Sequence, residues 1–243
     1  MRLELKEKPV PGAPLVELID IHKRYGTGEA AFEALRGINF KIEKGDFVAV
    51  MGPSGSGKST CMNIIGALDT PTSGQYLFEG RHVEKMDSDE RAILRRTCLG
   101  FVFQGFNLLP RTTALENVEL PLLYRGVPKE ERHELARKAL DRVGLLAWEN
   151  HTPGELSGGQ QQRVAIARAI VIKPLLLLAD EPTGSLDSKR SVEIMELLQE
   201  LNRDDGITIG LVTHEPDMAV YAKRLVHFRD GLIEKDDGGS HVV

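Results

Sequence analysis

The sequence predicts an α/β fold that combines a parallel-sheet core, an antiparallel β subdomain and an inserted α-helical subdomain. Three observations predict it. Residues 47–51, 99–104, 175–180 and 207–213 are short, mostly apolar runs, as is typical of parallel strands covered on both faces. Residues 15–21 and 38–42 alternate apolar and polar side chains, which is typical of antiparallel strands. Between about residues 105 and 174 the periodicity becomes helical throughout.

A glycine-rich loop follows the first of the parallel strands. Residues 52–59 read GPSGSGKS and match the pattern G-x-x-x-x-G-K-[ST] at every position, and a helix is predicted over residues 59–68. Such a loop presents backbone N–H groups to phosphates, and the dipole of the following helix favours the same negative charge. We expect Lys58 to bridge the β- and γ-phosphates and the Ser59 hydroxyl to bind Mg²⁺. The expected contact residues are Gly52, Pro53, Ser54, Gly55, Ser56, Gly57, Lys58, Ser59 and Thr60.

A second glycine-rich turn opens a later helix. Residues 156–163 read LSGGQQQR, and the apolar periodicity predicts a helix over residues 157–172. Ser157 is a favourable N-cap residue, and Gly158 and Gly159 allow a ligand to approach the backbone closely. Together with Gln160, they predict an anion-binding helix start. The alternative for the turn alone is an ordinary capped helix, but the phosphate loop before it and the acidic strand after it favour the anion site.

The strand at residues 175–180 ends in two carboxylates. Asp180 is expected to hold Mg²⁺ from the end of the strand. Glu181 should face another direction because successive strand side chains alternate, and it is then a candidate general base for a water in line with the γ-phosphate. The alternative is a helix-capping Asp-Glu pair after a core strand. The phosphate loop makes the catalytic interpretation the better one.

These motifs make the chain resemble the ATP-binding-cassette (ABC) ATPases over about residues 15–235, in that family's order and spacing. The glycine-rich loop matches the Walker A motif, residues 156–160 match the ABC signature, and residues 175–180 match Walker B. The resemblance implies an ABC-type P-loop NTPase core, ATP and Mg²⁺ as ligands, and ATP hydrolysis with Glu181 as the catalytic glutamate.

Three single residues extend the resemblance. Gln104 matches the Q-loop glutamine, which reaches Mg²⁺ and the attacking water, and His214 matches the switch histidine, which contacts the γ-phosphate. Tyr25 matches the A-loop aromatic that stacks on adenine. Taken alone, they could be a surface amide, a histidine capping a strand end and an exposed loop aromatic. Residues 185–187 resemble the D-loop, although Ser185 stands where the family often has Ala or Asn.

The single copy of each motif predicts a dimer. One chain has one phosphate loop and one signature turn, and they fall on different predicted subdomains. If the signature turn contacts a γ-phosphate, the simplest source is a second copy of the chain in an isologous pair. We therefore expect two chains to close around two ATP molecules and to reopen after hydrolysis.

Several stretches are similar to the ATPases of bacterial macrolide exporters and of the lipoprotein-release system, among them FEALRGINF and ADEPTGSLDS. This resemblance implies an integral membrane permease as partner, docking near residues 106–121, and a periplasmic adaptor reached through the permease. It implies efflux, lipoprotein release or mechanotransmission as the driven process. The alternative reading of the docking segment is an apolar link between strand and helix.

Composition bounds the remaining possibilities. The 243 residues carry a formal net charge of −5, which gives no support to a nucleic-acid partner. No run of about 18 apolar residues and no basic-then-apolar N-terminal signal is visible, so we expect a cytoplasmic protein, peripheral on the inner face of the cell membrane. The main alternative is a cassette that regulates cell-division or cell-wall enzymes through a membrane partner. A nucleic-acid-processing ABC protein and a small-molecule phosphotransferase fit less well.

The expected boundaries follow from the same patterns. Residues 1–14 are charged and proline-rich and are predicted to form a loose arm, residues 15–235 the ATPase domain, and residues 236–243 a flexible tail. The helical subdomain is expected over about residues 105–174, with helices over residues 113–122 and 129–143 and the signature helix. Residues 224–235 should form short strands. Cys61 and Cys98 are expected to be inert packing residues.

Overall fold

The structure, a computed structural model, describes residues 5–238. The chain divides into two compact units. The first comprises Met1–Arg95 and Thr208–Val243, and the second comprises Arg96–Ile207. Residues 1–4 of the predicted arm and 239–243 of the predicted tail lie outside the described residues.

The first unit holds the antiparallel sheet and a second group of strands. The strands in its N-terminal part are β1 (Val16–Tyr25), β2 (Phe32–Ile42), β3 (Phe47–Met51), β4 (Ser73–Phe78) and β5 (Arg81–His82). The antiparallel sheet has the order β2-β1-β4-β5. The side chains of β3 are buried along its whole length, as expected for a strand covered on both faces.

The first two strands are longer than predicted: β1 continues to Tyr25, and β2 begins at Phe32 and not at Ile38, because the two strands pair along this whole length. Tyr25 is the last residue of β1 and not part of a loop, because the pairing with β2 continues to the Tyr25–Phe32 pair. Strands β4 and β5 were not predicted, since β4 is short, begins with Ser73, Gly74 and Gln75, and buries only Tyr76 and Phe78. The predicted phosphate-loop helix is α1 (Lys58–Ile65), which ends early because Gly66 and the left-handed Ala67 follow it.

The second unit begins at Arg96, within helix α2 (Ser88–Cys98). This unit contains β6 (Leu99–Phe103), α3 (Ala114–Tyr124), α4 (Lys129–Arg142), α5 (Gly158–Ile170), β7 (Leu176–Asp180) and α6 (Ser188–Asp205). Strands β6 and β7 are parallel, and Phe103 pairs with Asp180 at their carboxyl ends. Within residues 105–174, all of which the structure describes, every regular element is helical, as predicted.

The first unit is completed by β8 (Thr208–Val212), α7 (Pro216–Ala219), β9 (Arg224–Arg229) and β10 (Leu232–Asp236). Strand β3 lies between β8 and β9 and is parallel to both, and β9 and β10 form an antiparallel hairpin. The predicted short strands near the end of the chain are thereby confirmed. The α/β class with parallel strands, a separate antiparallel sheet and a helical segment is confirmed as well.

Both predicted terminal segments are more ordered at their inner ends than expected. The Val10 N–H donates to the Glu79 carbonyl at 2.8 Å, and Lys6 forms ion pairs with Asp87 and Glu90, so the described part of the arm is fixed to the first unit. Asp236 belongs to β10 and not to the tail, because it pairs with Val226 and accepts a hydrogen bond from Arg224 at 2.8 Å. Among the described residues, no helix combines the length and apolar character needed to cross a bilayer.

Candidate functional site

The phosphate loop lies between β3 and α1 in the first unit, and two of its glycines are required by sterics. Gly52 and Gly57 both have positive φ, 148° and 101°. A Cβ on Gly52 would lie 2.1 Å from the Phe228 carbonyl oxygen, and one on Gly57 would lie 2.7 Å from the Ala34 carbonyl oxygen. The neighbouring backbone therefore packs directly against the loop, and a larger residue at either position would displace it.

Gly57→Ala is expected to lower the free energy of unfolding by about 2–4 kcal/mol, because it combines a left-handed backbone with steric overlap. Gly154→Ala is the matched control: Gly154 is exposed, its φ is not positive, and an added Cβ would meet nothing within 4 Å. Urea denaturation of both variants measures the difference. Equal stability of the two variants would contradict the steric argument.

The loop and the start of α1 present free hydrogen-bond donors. The backbone N–H groups of Gly55, Gly57, Ser59 and Thr60 have no acceptor among residues 5–238. The largely buried Lys58 ammonium group donates to the carbonyl oxygens of Gly52 at 2.6 Å and Pro53 at 2.8 Å, which places a positive charge within the loop. Free donors, a fixed charge and a helix N-terminus together form a site suited to an anion.

Tyr25 is held in place at the end of β1. Its hydroxyl donates to Asp69 at 2.8 Å, and the Lys23 ammonium group lies 4.8 Å from the ring centroid and 2.6 Å from the same carboxylate. Burial and the hydrogen bond to Asp69 raise the pKa of Tyr25, so the phenol stays neutral. The side chain is nevertheless 40% exposed, which leaves part of a fixed aromatic ring accessible to a ligand.

The signature turn in the second unit is a capping box. The Gln160 N–H donates to the Ser157 hydroxyl at 3.3 Å, and the Ser157 N–H donates to the Gln160 side chain at 2.9 Å. In the described part of the chain, the N–H groups of Gly158 and Gly159 have no acceptor. The predicted anion-binding helix start is therefore present as a geometry, with two free N–H groups and a hydroxyl whose proton can still be donated.

The acidic turn after β7 has an unusual backbone. Asp180 is half-buried at the end of the strand, and Glu181 has a φ of 47°, which is left-handed. The Gly184 N–H donates to the Glu181 carbonyl at 3.1 Å and closes the turn. We expected strand alternation to direct Glu181 away from Asp180. Strand alternation does not extend to Glu181, because β7 ends at Asp180 and the next residue is left-handed, so the direction of the carboxylate stays a prediction. Strained backbone of this kind is concentrated at functional sites.

Gln104 lies against this turn, which the sequence did not predict. A Cβ on Gly184 would be 2.7 Å from the Gln104 amide nitrogen, so the glutamine packs directly on the backbone there. The loop beyond it contains two successive left-handed residues, Phe106 and Asn107, whose carbonyls accept hydrogen bonds from Arg168 at 2.9 and 2.5 Å. The second unit thus brings Gln104 and the residues that follow Glu181 together.

His214 lies in the first unit, two residues beyond the end of β8, and its side chain is exposed. The strand predicted over residues 207–213 ends one residue early, because the Thr213 hydroxyl accepts the Glu215 N–H at 3.0 Å and turns the chain after Val212. Cys61 is buried, and burial raises the pKa of its thiol to about 12, in agreement with an inert packing role.

The ligand atoms of the predicted metal residues indicate which metal ion they could bind. Residues 5–238 contain no cluster of three or more His, Cys, Asp or Glu side chains suited to a metal ion. The predicted metal residues Ser59, Gln104 and Asp180 offer only oxygen ligands. Mg²⁺ takes one or two carboxylates and completes its shell with phosphate oxygens and water, so these residues fit Mg²⁺ and do not fit zinc.

Comparison with protein families identifies this arrangement. The family model described as ABC transporter matches residues 35–184, which include the phosphate loop, the signature turn and the acidic turn. The chain belongs to the ABC transporter family. The predicted enzyme class, an ABC-type ATPase, is confirmed with it. The residue-by-residue roles remain predictions.

Curated relatives of this ABC protein fall into two size classes. The macrolide export ATP-binding/permease protein MacB of Marinobacter nauticus is 54% identical over 225 residues, 93% of this chain and 35% of that protein. The pyoverdine export protein PvdT of Pseudomonas aeruginosa is 52% identical over 231 residues, 95% of this chain and again 35% of that protein. The chain therefore spans about a third of the length of these relatives. The ABC transporter ATP-binding protein YknY of Bacillus subtilis is 51% identical over 229 residues and is covered over 99% of its length.

A solved structure shares the fold over nearly the whole chain. The dimeric post-hydrolysis state of the ATP-binding cassette MJ0796, bound to ADP and Pi, has a TM-score of 0.83 and 47% sequence identity, with 91% of this ABC chain and 97% of that chain covered. The predicted fold is confirmed by this match, and the predicted resemblance to the ATPases of macrolide exporters is confirmed by the MacB relatives.

Proposed function

We propose that this chain is the ATP-binding and ATP-hydrolysing subunit of a bacterial ABC transporter, which dimerises around two ATP molecules and drives a membrane partner. One observation carries the proposal: the same chain has two separate helix starts with free N–H groups, one at the phosphate loop and one at the signature turn. A single nucleotide in one chain needs only the first. The second supports a contact to nucleotide held by another copy.

ATP binding is assigned mainly to the phosphate loop. The free N–H groups of the loop contact the phosphates, Lys58 leaves its carbonyl partners for the β- and γ-phosphates, and Tyr25 stacks on adenine. Ser59, Gln104 and Asp180 are the residues that would hold Mg²⁺. Bound Mg²⁺ would neutralise charge that develops on the β- and γ-phosphates.

Hydrolysis is assigned to residues that orient and deprotonate water. Glu181 is the general base, and it is the left-handed residue directly after the end of β7. Gln104 and His214 position the attacking water, and His214 also contacts the γ-phosphate. Phosphoryl transfer requires positioning and charge stabilisation more than covalent chemistry, so these residues supply the positioning, and Lys58 and the signature turn supply charge stabilisation.

The second nucleotide contact comes from the partner copy. Ser157, Gly158, Gly159 and Gln160 form the helix start that closes on the γ-phosphate bound by the other chain. ATP then joins the two chains, and the loss of the γ-phosphate after hydrolysis lets them separate. The dimeric form of MJ0796 bound to ADP and Pi supports this cycle by similarity.

The membrane partner is an integral permease that docks near residues 106–121. Leu109 in this segment is 45% exposed, and Leu123 and Tyr124 at the end of α3 are 51% and 71% exposed. MacB and PvdT are named ATP-binding/permease proteins, which supports a permease as partner and export, lipoprotein release or mechanotransmission as the driven process. The chain then works at the inner face of the membrane, with a periplasmic adaptor reached through the permease.

Co-purification tests the transporter assignment. The tagged chain is expressed in its native host, membranes are extracted with mild detergent, and proteins retained with the tag are identified by mass spectrometry. A multi-spanning permease should be retained by the wild type and lost from the variant Leu109→Glu, because a charge at this exposed position of the docking segment opposes an apolar contact. Leu175→Glu, an exposed leucine outside the docking segment, is the control. Retention of nucleic acid with no membrane protein would contradict the proposal.

The adenine platform gives a separate prediction. Tyr25→Ala should weaken ATP binding by about 5- to 100-fold, because stacking on a base contributes about 1–3 kcal/mol. Tyr25→Phe keeps the ring but loses the hydrogen bond to Asp69, and its affinity should stay close to that of the wild type. Equilibrium titration with a fluorescent ATP analogue measures both variants. Equal affinity of Tyr25→Ala and wild type would remove Tyr25 from the site.

A further inference from the structure

Gln162 is a polar side chain in an unexpected place. It lies on α5, five residues after the Ser157 cap, and is 0% exposed. Its amide nitrogen donates to the Pro182 carbonyl at 2.7 Å and lies 3.4 Å from the Phe103 carbonyl, while its amide oxygen has no partner among the described residues. An amide with an unpaired buried oxygen is a poor choice for packing alone, which suggests another reason for its presence.

The two carbonyls that Gln162 contacts have functional neighbours. Phe103 immediately precedes Gln104, and Pro182 immediately follows Glu181. Phe103 also pairs with Asp180 across β6 and β7, so the two strand ends are already adjacent. The Gln162 amide therefore joins the backbone at the points where the Q-loop glutamine and the proposed general base leave their strands.

The segments joined in this way also depend on each other. Gln104 packs on Gly184, within the turn that the Glu181 carbonyl closes. Glu181 itself has a left-handed φ, a conformation that persists in a non-glycine residue only when the surroundings enforce it. The bond to Pro182 acts on the residue directly after this strained position.

We propose that Gln162 is a positioning residue for ATP hydrolysis: its buried amide holds the Glu181 turn and the Gln104 loop in the relative arrangement needed to orient the attacking water. This inference rests on the proposed roles of Glu181 and Gln104. It adds a function for a residue of the signature helix that lies outside the nucleotide-contacting turn. Gln162 is fully buried and acts only through these two backbone segments.

Gln162→Met tests the proposal with little change in volume, since it removes both N–H donors. The expected result is a kcat lower by about 10- to 100-fold, as is typical when a catalytic group moves by about 1 Å, with ATP affinity unchanged. Asn202→Leu is the matched control. It also removes a buried amide that donates to a backbone carbonyl, at 2.8 Å to Ile207, but it lies near the end of α6. Thermal unfolding of both variants is measured, and turnover is assayed well below both transitions.

Gln162→Glu provides a readout that a packing role would not change. A buried carboxyl group facing two carbonyl oxygens should have a raised pKa, and only its protonated form can donate to Pro182. The kcat of this variant relative to wild type should therefore rise as the pH falls from about 8 to about 6. Because the variant retains the length and polarity of the side chain, it also serves if Gln162→Met does not fold.

The third measurement asks whether Gln162 acts through Glu181. Single-turnover hydrolysis is followed in Glu181→Gln and in the double variant Glu181→Gln/Gln162→Met. Once the general base is removed, loss of the Gln162 amide should lower the hydrolysis rate only a little further. The fold-loss in rate of the double variant should therefore be smaller than the product of the fold-losses of the two single variants. Fully multiplicative effects would overturn the proposal.

Other outcomes overturn it as well. Wild-type kcat in Gln162→Met, or equal losses in Gln162→Met and Asn202→Leu, would reduce Gln162 to a packing residue. A pH-independent ratio for Gln162→Glu would do the same. These results are distinct from a failure of the proposed function, in which Glu181→Gln itself would hydrolyse ATP at the wild-type rate.

Discussion

Glu181→Gln is expected to abolish ATP turnover, leave ATP binding intact and accumulate a closed dimer. A general base contributes about 10²–10⁴ to the rate, and the amide cannot accept the proton of the attacking water. The substitution leaves the phosphate loop with Lys58, and the ring of Tyr25, unchanged, so nucleotide affinity should not change. Phosphate release, nucleotide titration and size-exclusion chromatography with ATP measure the three quantities.

The control for this substitution is Glu196→Gln. Glu196 is exposed on α6 and undergoes the same change of charge without a role in the proposed site. It should retain wild-type turnover and show no extra dimer. If Glu181→Gln hydrolysed ATP as fast as Glu196→Gln, the assignment of the base would be wrong.

Ser157→Arg should prevent ATP-dependent dimerisation while the monomer still binds nucleotide. The long cationic side chain would stand at the helix start where the γ-phosphate of the partner copy is proposed to enter, and it would fill that space. Turnover should fall by about 10²-fold or more, because the signature turn is proposed to supply part of the charge stabilisation. Sedimentation in the Glu181→Gln background gives the clearest signal, because the closed dimer should persist there.

The arginine also removes a helix cap, and that effect needs its own control. Losing an N-cap costs about 0.5–2 kcal/mol of stability. Thr113→Arg removes an equivalent cap, since Thr113 and Glu116 form the same capping box at the start of α3. It should lose similar stability and still dimerise with ATP. A dimer formed undiminished by Ser157→Arg would argue against a contact to the partner's nucleotide.

The motifs were readable from sequence because their requirements are local. The glycines of the phosphate loop are needed for backbone geometry within a few residues, and the cap at Ser157 is a contact between residues three apart. Burial on both faces likewise produces the apolar runs of β3 and β7. For such features, the physical constraint acts on the same few residues that form the sequence pattern, so the pattern predicts the structure directly.

The features that sequence reasoning missed depend on contacts between distant segments. The contact of Gln104 with Gly184 joins residues 80 apart, and Gln162 bonds to a carbonyl 20 residues away. The left-handed backbone of Glu181 could not be predicted from its residue type, because glutamate rarely adopts this conformation and the surrounding turn imposes it. One signal was available: a third successive glutamine, on the apolar side of an amphipathic helix, implies a buried amide in need of acceptors.

The Lys58 ammonium group donates two hydrogen bonds to carbonyl oxygens of its own loop. In the proposed binding mode, Lys58 must therefore exchange these carbonyls for phosphate oxygens when a nucleotide binds. An incoming phosphate gains the ammonium group only as those carbonyls lose it, so the net affinity is the difference between two strong attractions. ADP, which lacks one of the phosphates that Lys58 is proposed to bridge, should compete less well for the lysine. The return of Lys58 to the loop carbonyls should therefore favour the release of ADP after hydrolysis.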